Sequence, residues 1–368
     1  MRCDKIIKLI EDWAPKEIAW EKDNVGLQVG SLQREIKNIL VSLDVNERVV
    51  DEAIRKKCNL IISHHPLLFK PLTQIDTNKN KQARIIEQLI KKEITLYSAH
   101  TNLDFTKNGV SYQLAKKIGI QKPKFLLNHS SNLYKLAVFV PISSVEKVAE
   151  AIHGAGAGIV GEYSFCSFRS EGTGTFLGSN QSNPTIGKRG KLEKVDEIKL
   201  EVLISSFDLN NVLESMKKAH PYEEVAYDVY PLINENVNYG AGAIGDLEKD
   251  ISAEEFLNHI AKSLKIKNFR FTHGKSKRIK KVAVCGGSGS DLISTAIIKG
   301  ADAFVTADIK YHAFQDAEKQ ILLVDAGHYE TEIPSIEELK RRLTGFLPKA
   351  IKVYKYQGST NPIVFYNN

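Results

Sequence analysis

The sequence predicts an α/β protein whose main domain is interrupted by an inserted domain. Strand and helix patterns alternate at both ends of the chain, whereas the middle shows a strand-helix-strand pattern twice. Histidine and carboxylate motifs follow apolar strands on both sides of that middle part. Alternating strands and helices are typical of βαβ units in a mostly parallel sheet. We therefore assign residues 1–126 and 240–368 to one discontinuous α/β domain with a mostly parallel sheet, and residues 127–239 to an inserted ferredoxin-like α+β domain.

The first part of the chain begins with an amphipathic helix, followed by an irregular loop over residues 20–30. Apolar runs and amphipathic periodicity then predict a strand at 39–43, a helix at 47–57, a strand ending at His64, a helix at 81–92 and a strand ending near Ser98.

The middle part predicts a split βαβ arrangement. Its expected elements are a strand at 135–141, a helix at 145–155, a stretch rich in Gly, Ser, Thr and Asn at 172–190, a strand at 197–204, a helix at 209–219 and a strand at 225–232.

The last part resumes the first pattern. It predicts a helix at 253–264, a strand at 281–285, a helix after Gly289, a strand at 303–306, a helix from His312, a strand at Leu322 and a final helix from Ser335.

Composition narrows the classes of function. With 368 residues, 42% hydrophobic and 26% charged, the chain predicts two globular domains. No apolar run has the length of a membrane span, and the N-terminus lacks an apolar signal core, so we expect a cytoplasmic protein without a membrane partner. The net charge of +7 comes from scattered lysines, which solvated surface explains better than binding of nucleic acid does, and an anionic small substrate also fits. The four cysteines stand far apart, which argues against disulfides or a zinc knuckle.

Two adjacent histidines, His64 and His65, stand where the apolar run 59–62 ends. Neighbouring side chains on a strand point to opposite faces, but Pro66 ends the strand, so both rings can turn into one cleft. Considered alone, such a pair is more often two hydrogen-bonded structural histidines than a metal site. Imidazole is also the commonest neutral metal ligand, so the pair raises the question of accompanying carboxylates.

Two other segments carry matching groups after apolar strands. His100 and Asp104 follow one strand, and His328 and Glu332 follow another. The carboxyl ends of parallel strands can converge at one edge of a sheet, and this mixed N/O set suits zinc, manganese or iron. Asp104 could instead cap a helix. Five ligands exceed what one tetrahedral zinc needs, so we predict two divalent ions, bridged by Asp104 or Glu332.

The spacing of His328 and Glu332 would place both on one face of a helix. Pro334, however, favours a helix that starts only near Glu332 and leaves His328 in the preceding turn.

Three further motifs allow two interpretations each. The loop Gly286–Gly289 could hold phosphate with its N–H groups or simply make a tight turn. In the segment 306–312, Asp308, Lys310 and His312 could contact substrate or orient metal ligands, or Asp308 could cap a helix. The segment His220–Glu224 could bind a ligand, but we prefer a turn followed by a half-exposed strand.

The motifs SHHP, HTNLD and GHYETE, together with WEKDNVGLQVG near the start, occur in an order that resembles the Nif-three-like family of metal-binding proteins. Many of its members are called GTP cyclohydrolase I type 2 homologues. The segments GTGTF, NPTIG and HPYEEVAYDVYPL resemble the insertion of the longer bacterial members, which is similar to the PII and CutA ferredoxin-like fold.

This resemblance implies a set of site residues and an assembly. His64, His65, Asp104, His328 and Glu332 match the family's dinuclear metal ligands, and His100 lies beside them. A toroidal homohexamer is implied as well. Ala307 stands where many members of the family carry Gly, a change that leaves the ligand positions untouched.

Two hypotheses of function follow. In the first, the chain is a metal-dependent hydrolase of a nucleotide or related heterocycle, in which the two ions activate a water and His100 or His312 moves the proton. In the second, it is a non-catalytic metal-binding or nucleotide-sensing hexamer with a regulatory PII-like insertion. Turnover of a nucleotide panel by protein of defined metal content separates the two hypotheses.

Overall fold

The computed structural model describes residues 1–129, 132–161 and 163–366. The chain divides into two compact units. We call Met1–Asn128 with Tyr239–Asn368 the outer unit, and His129–Asn238 the inner unit.

Strands and helices alternate along most of the chain. Before the inner unit they are α1 (Cys3–Glu11), β1 (Gly26–Val29), β2 (Asn38–Ser42), α2 (Glu47–Arg55), β3 (Leu60–Ser63), α3 (Lys81–Lys91), β4 (Thr95–Ser98), α4 (Thr101–Asp104), α5 (Val110–Ile118) and β5 (Gln121–His129). The next are β6 (Leu133–Pro141), α6 (Val145–Gly154), β7 (Ser167–Leu177), β8 (Leu192–Ser205), α7 (Leu209–Ala219) and β9 (Tyr227–Leu232). The last are β10 (Asn236–Ser252), α8 (Ala253–Leu264), β11 (Arg270–Thr272), β12 (Arg278–Ser288), α9 (Ile293–Ile298), β13 (Ala303–Ala307), α10 (Tyr311–Ala317), β14 (Leu322–Asp325), α11 (His328–Glu332), α12 (Pro334–Phe346) and β15 (Lys352–Lys355).

The outer unit contains two sheets. The 5-stranded sheet has the order β1-β4-β3-β2-β15, and the 6-stranded sheet has the order β11-β14-β13-β12-β10-β5. In the first, all pairs are parallel except β1 with β4. In the second, β12, β13 and β14 are parallel, whereas β11 pairs antiparallel with β14 and β10 pairs antiparallel with β12. The predicted α/β class is confirmed. The prediction of a single sheet in this unit is wrong, because the apolar pattern of a strand does not show which other strands it pairs with.

Helices cover both faces of each sheet, which explains why the central strands are apolar throughout. In the first sheet, Ile6 of α1 and Leu339 of α12 lie in one core, and the residues of α2 and α3 form another. In the second sheet, α5 and α8 contribute to one core and α9 and α10 to the other.

The inner unit is a 4-stranded antiparallel sheet of order β7-β8-β6-β9. Helices α6 and α7 pack on it through residues such as Ile152 and Met216. Strand β7 lies partly in the stretch predicted as irregular. Its glycines weaken the strand signal in the sequence, but it pairs with β8 along its whole length.

The chain after β14 differs from the prediction based on Pro334. His328 begins the short helix α11, and Pro334 occupies the first turn of a separate helix, α12. His328 and Glu332 therefore do lie one helical turn apart. Within the described ranges, no helix combines the length and the apolar character needed to cross a membrane.

Candidate metal centre

His64 and His65 follow β3 directly and face a common centre. Nδ1 of His64 lies 2.9 Å from the carbonyl oxygen of Ala99, and Nδ1 of His65 lies 2.8 Å from Oδ1 of Asp44. A carbonyl oxygen only accepts, so Nδ1 of His64 donates and its Nε2 carries a lone pair. The tautomer of this fully buried ring is thus fixed by the backbone that follows β4.

Two further imidazoles are anchored in the same way. Both carboxylate oxygens of Asp23 lie 2.9 Å from Nδ1 of His100, and Oδ2 of Asp308 lies 2.6 Å from Nδ1 of His328. An outer acceptor on one ring nitrogen, with the other nitrogen turned inward, is the usual arrangement of metal-binding histidines. Four rings show it here.

Glu332 lies between these rings with only 3% of its surface exposed. Its Oε1 is 3.0 Å from Nε2 of His328, and its Oε2 is 3.0 Å from Nε2 of His65. The Nε2 atoms of His65 and His328 are 3.3 Å apart. The two oxygens of one carboxylate thus face two different imidazoles.

Asp104, the last residue of α4, completes the cluster. Its Oδ1 lies 3.6 Å from Nε2 of His64. Among the described residues, neither of these two buried atoms has a hydrogen-bond partner. A buried lone pair facing a buried carboxylate oxygen is costly unless a cation or a proton lies between them. This pair therefore fits a bound cation.

The electrostatics of the cluster follow from the crowding of its charges. Burial disfavours charged His65 and His328, but hydrogen bonds to carboxylates outweigh it and raise the pKa of His65 to about 10 and that of His328 to about 9. Burial and the nearby Glu332 charge raise the pKa of Asp104. Hydrogen bonds from the histidines overcome burial and lower the pKa of Glu332. The cluster therefore favours positive charge at its centre.

Two overlapping groups of side chains could each hold a metal ion. His64, His65 and His100 form one, and His65, His328 and Glu332 form the other, with potential ligand atoms within 4.8 Å of one another in each group. Imidazole with carboxylate suits zinc, manganese or iron. The structure thus brings all five predicted ligands into contact and places His100 among them.

Gly287 decides between the two interpretations of the glycine-rich loop. The N–H of Gly286 donates to Ser111 and that of Gly287 to Thr331, so these two groups are used within the protein. Gly287 has a φ of +65°, and a Cβ there would lie 2.2 Å from Oε1 of Glu332. Close approach to the carboxylate explains this glycine better than phosphate binding does.

His312 lies apart from these contacts. It is exposed near the start of α10, and its Nδ1 lies 3.1 Å from Oε1 of Gln315. In the described part of the chain, its hydrogen bonds and ring contacts do not include the cluster. Of the motif 306–312, Asp308 orients His328, as one of its two interpretations predicted.

Sequence reasoning did not find Asp23 and Asp44. Asp44 follows the apolar strand β2 closely. Its position just after a strand is the same pattern by which the sequence analysis selected the predicted ligands. Asp23 lies in an irregular loop and contacts His100, which is 77 positions further along the chain. No local sequence pattern predicts such a contact.

A family model for Duf34/NIF3 (NGG1p interacting factor 3) matches residues 1–362. The chain belongs to this family. Among relatives of this family, a protein of Halalkalibacterium halodurans is 43% identical over 95% of this chain and 93% of its own length. A Bacillus subtilis protein is 40% identical over 98% of each chain. Both are named GTP cyclohydrolase 1 type 2 homolog.

Solved structures agree with this assignment. The crystal structure of a Bacillus cereus protein related to NIF3 superimposes with a TM-score of 0.86 at 39% identity, covering 100% of this chain and 99% of that one. A Staphylococcus aureus protein superimposes with a TM-score of 0.79 at 31% identity, with the same coverage. The NIF3 fold therefore extends over the whole chain.

Proposed function

We propose that the chain is a hydrolase that depends on two divalent metal ions and acts on a nucleotide or a related heterocycle. The observation that carries this proposal is the set of four imidazoles, each held at Nδ1, of which His64, His65 and His328 have Nε2 within 3.0–3.8 Å of an oxygen of Glu332. Preorganised donors of this kind are what a metal centre requires.

The ions would be held by His64, His65, Asp104, His328 and Glu332. The position of Glu332, whose two oxygens face different histidines, supports a bridging role for it. When bound, such a pair of ions lowers the pKa of water and polarises the substrate.

His100 is the better supported candidate for moving the proton. Burial would raise the pKa of Asp23, but hydrogen bonds from His100 and Thr101 lower it to about 2, so the carboxylate stays charged and holds Nδ1 of His100. Nε2 of His100 is then left to accept a proton and release it. His312 stays the second candidate, and its exposed ring, bonded to Gln315, offers less support for the role.

An aromatic ring beside the cluster supports a planar substrate. Phe69 is 64% exposed, and its ring centroid lies 6.4 Å from that of His100. A heterocycle could contact this ring while its polar atoms face the metals. The relatives' name, GTP cyclohydrolase 1 type 2 homolog, supports a nucleotide as the class of substrate.

The alternative is a non-catalytic hexamer that binds metal or senses a nucleotide through a regulatory insertion. The order β-α-β-β-α-β in the inner unit, with its antiparallel sheet, supports a ferredoxin-like fold of the PII and CutA type. A toroidal homohexamer and a cytoplasmic location belong to both proposals.

Incubation of metal-loaded protein with a panel of nucleotides, followed by mass spectrometry, tests the hydrolase. We expect a new product from at least one compound, lost in Glu332→Ala and kept in Glu337→Ala, an exposed control on α12. Binding without turnover would favour the alternative. Turnover that persists in Glu332→Ala would show that the metal centre does not take part in the reaction.

A further inference from the structure

The inner unit contains a cavity of about 810 Å³ that the metal centre does not explain. Its walls come from β7 and the loop that follows it, from Glu197 and Lys199 on β8, and from the turn at residues 222–224. All its lining residues belong to the inner unit. Enclosed volumes with a few convergent polar groups are where proteins bind small molecules.

Glu197 places a buried carboxylate in the wall of this cavity. Its exposed fraction is 9%, and its Oε1 accepts a hydrogen bond of 2.9 Å from the hydroxyl of Tyr222. A Cβ at position 174 would lie 2.2 Å from Oε2 of Glu197, so Gly174 leaves the space that the carboxylate occupies. The glycine therefore leaves room for a carboxylate whose charge burial alone disfavours.

His220 holds the turn that carries Tyr222 in place. Its Nε2 donates to the carbonyl oxygen of Phe139 at 3.0 Å, and its Nδ1 accepts the N–H of Tyr222 at 3.1 Å. Only a neutral ring satisfies both bonds. The Tyr222 ring also packs against Phe176, with centroids 6.2 Å apart. The turn that the sequence predicts here therefore also presents an aromatic wall.

The charges of the cavity select the class of ligand. Four acidic side chains line it: Glu171, Glu197, Glu223 and Glu224. The one lysine in the lining, Lys199, lies 3.5 Å from Glu201, which neutralises it. Phosphates and carboxylates would be repelled, whereas a cation would meet the Glu197 carboxylate beside the rings of Phe176 and Tyr222.

We propose that this cavity binds a small organic cation, an amine or guanidine with an apolar body. The cationic group pairs with Glu197, and the apolar part lies against Phe176 and Tyr222. The site is independent of the metal centre and of the reaction proposed for it.

Calorimetric titration of the full chain with phenethylammonium, agmatine and spermidine tests the proposal, with 2-phenylethanol and 3-phenylpropanoate as neutral and anionic comparisons. We expect at least one cation to bind, and to bind more tightly than both comparisons. Glu197→Gln should weaken that binding about tenfold or more. Asp196→Asn, an exposed change on the same strand outside the cavity, should leave it unchanged.

A second pair of variants covers the case in which Glu197→Gln fails to fold. Glu224→Lys at the exposed rim should weaken cation binding, whereas Glu150→Lys on α6, outside the cavity, should not. Binding should persist in Glu332→Ala, which separates this site from the metal centre. Failure of all three cations to bind, equal binding of the anion, or indifference to Glu224→Lys would overturn the proposal.

Discussion

A Cβ atom at Gly287 would lie 2.2 Å from Oε1 of Glu332. The strand β12 thus approaches the central carboxylate so closely that an added Cβ would have to displace it, and the φ of +65° favours glycine as well. A loop that resembles a phosphate-binding turn in the sequence therefore makes room for the carboxylate of Glu332.

Gly287→Ala should displace Glu332 and lower metal occupancy while the protein stays folded. Gly300→Ala is the matched control, because Gly300 has a φ of +73° but no atom within 4 Å of the added Cβ. Both variants carry the backbone strain of about 1–2 kcal/mol. Metal analysis and thermal unfolding of both variants separate strain from the clash. Equal metal content in the two would show that the clash has no effect on the site.

Asp308→Asn should weaken metal binding by about 10–100-fold, the usual cost of losing an outer carboxylate. The substitution suits the backbone, since Asp308 has a φ of 57° and Asn tolerates that region. Competition with a fluorescent chelator measures the affinity. Asp316→Asn, an exposed change on α10, is the control, and an equal effect of both variants would contradict a role for Asp308 in orienting His328.

The sequence predicted which side chains lie together better than it predicted the architecture around them. Each predicted ligand follows an apolar strand closely, and this local pattern sufficed to predict that they lie together: His64, His65, Asp104, His328 and Glu332. The strands themselves belong to two sheets, since β3 and β4 lie in one and β14 in the other. Hydrogen bonding between strands depends on distant partners, which a single sequence does not display.

The supporting residues show the same limit. Asp23 reaches His100 from a loop without periodicity, and Gly287 is explained by an atom of Glu332, 45 positions further along. Contacts of this kind arise from tertiary packing, so neither residue type nor spacing predicts them. Asp44, by contrast, also follows a strand closely, so the same pattern could have predicted that its carboxylate belongs to the site.

Phe69→Ala should weaken nucleotide binding by metal-loaded protein about tenfold or more, because stacking on an aromatic ring is worth about 1–3 kcal/mol per base. Metal content should not change, since the Phe69 ring lies beside His100 and carries no atom that binds a metal. Titration with GTP and guanosine provides the measurement. Phe346→Ala, an equally exposed residue at the end of α12, is the control. Unchanged affinity in Phe69→Ala would exclude this ring from the substrate site.

The same titration tests the charge of the site. Two divalent ions outweigh the two carboxylates Asp104 and Glu332, so the metal-loaded protein should bind GTP more tightly than guanosine. Removal of metal should abolish the difference. Equal affinities for GTP and guanosine would contradict a positively charged site. So would GTP binding that does not change when the metal is removed.

Replacement of residues 129–238 by a short Gly/Ser linker should leave a folded protein that still binds metal. The junctions are close within the outer unit, because a Cβ at Gly240 would lie 2.4 Å from the carbonyl oxygen of Leu127. Circular dichroism and metal analysis of the shortened chain measure the outcome. Loss of the fold would show that the inner unit is part of the core and that the predicted domain boundaries are wrong.

Metal stoichiometry tests the central claim most directly. Five ligands, one of them a carboxylate that faces two imidazoles, predict about two divalent ions per chain in carefully loaded protein. Glu332→Ala and His64→Ala should lower that number while circular dichroism stays unchanged, and Glu337→Ala should keep it. A single ion per chain that is unaffected by Glu332→Ala would contradict the dinuclear centre.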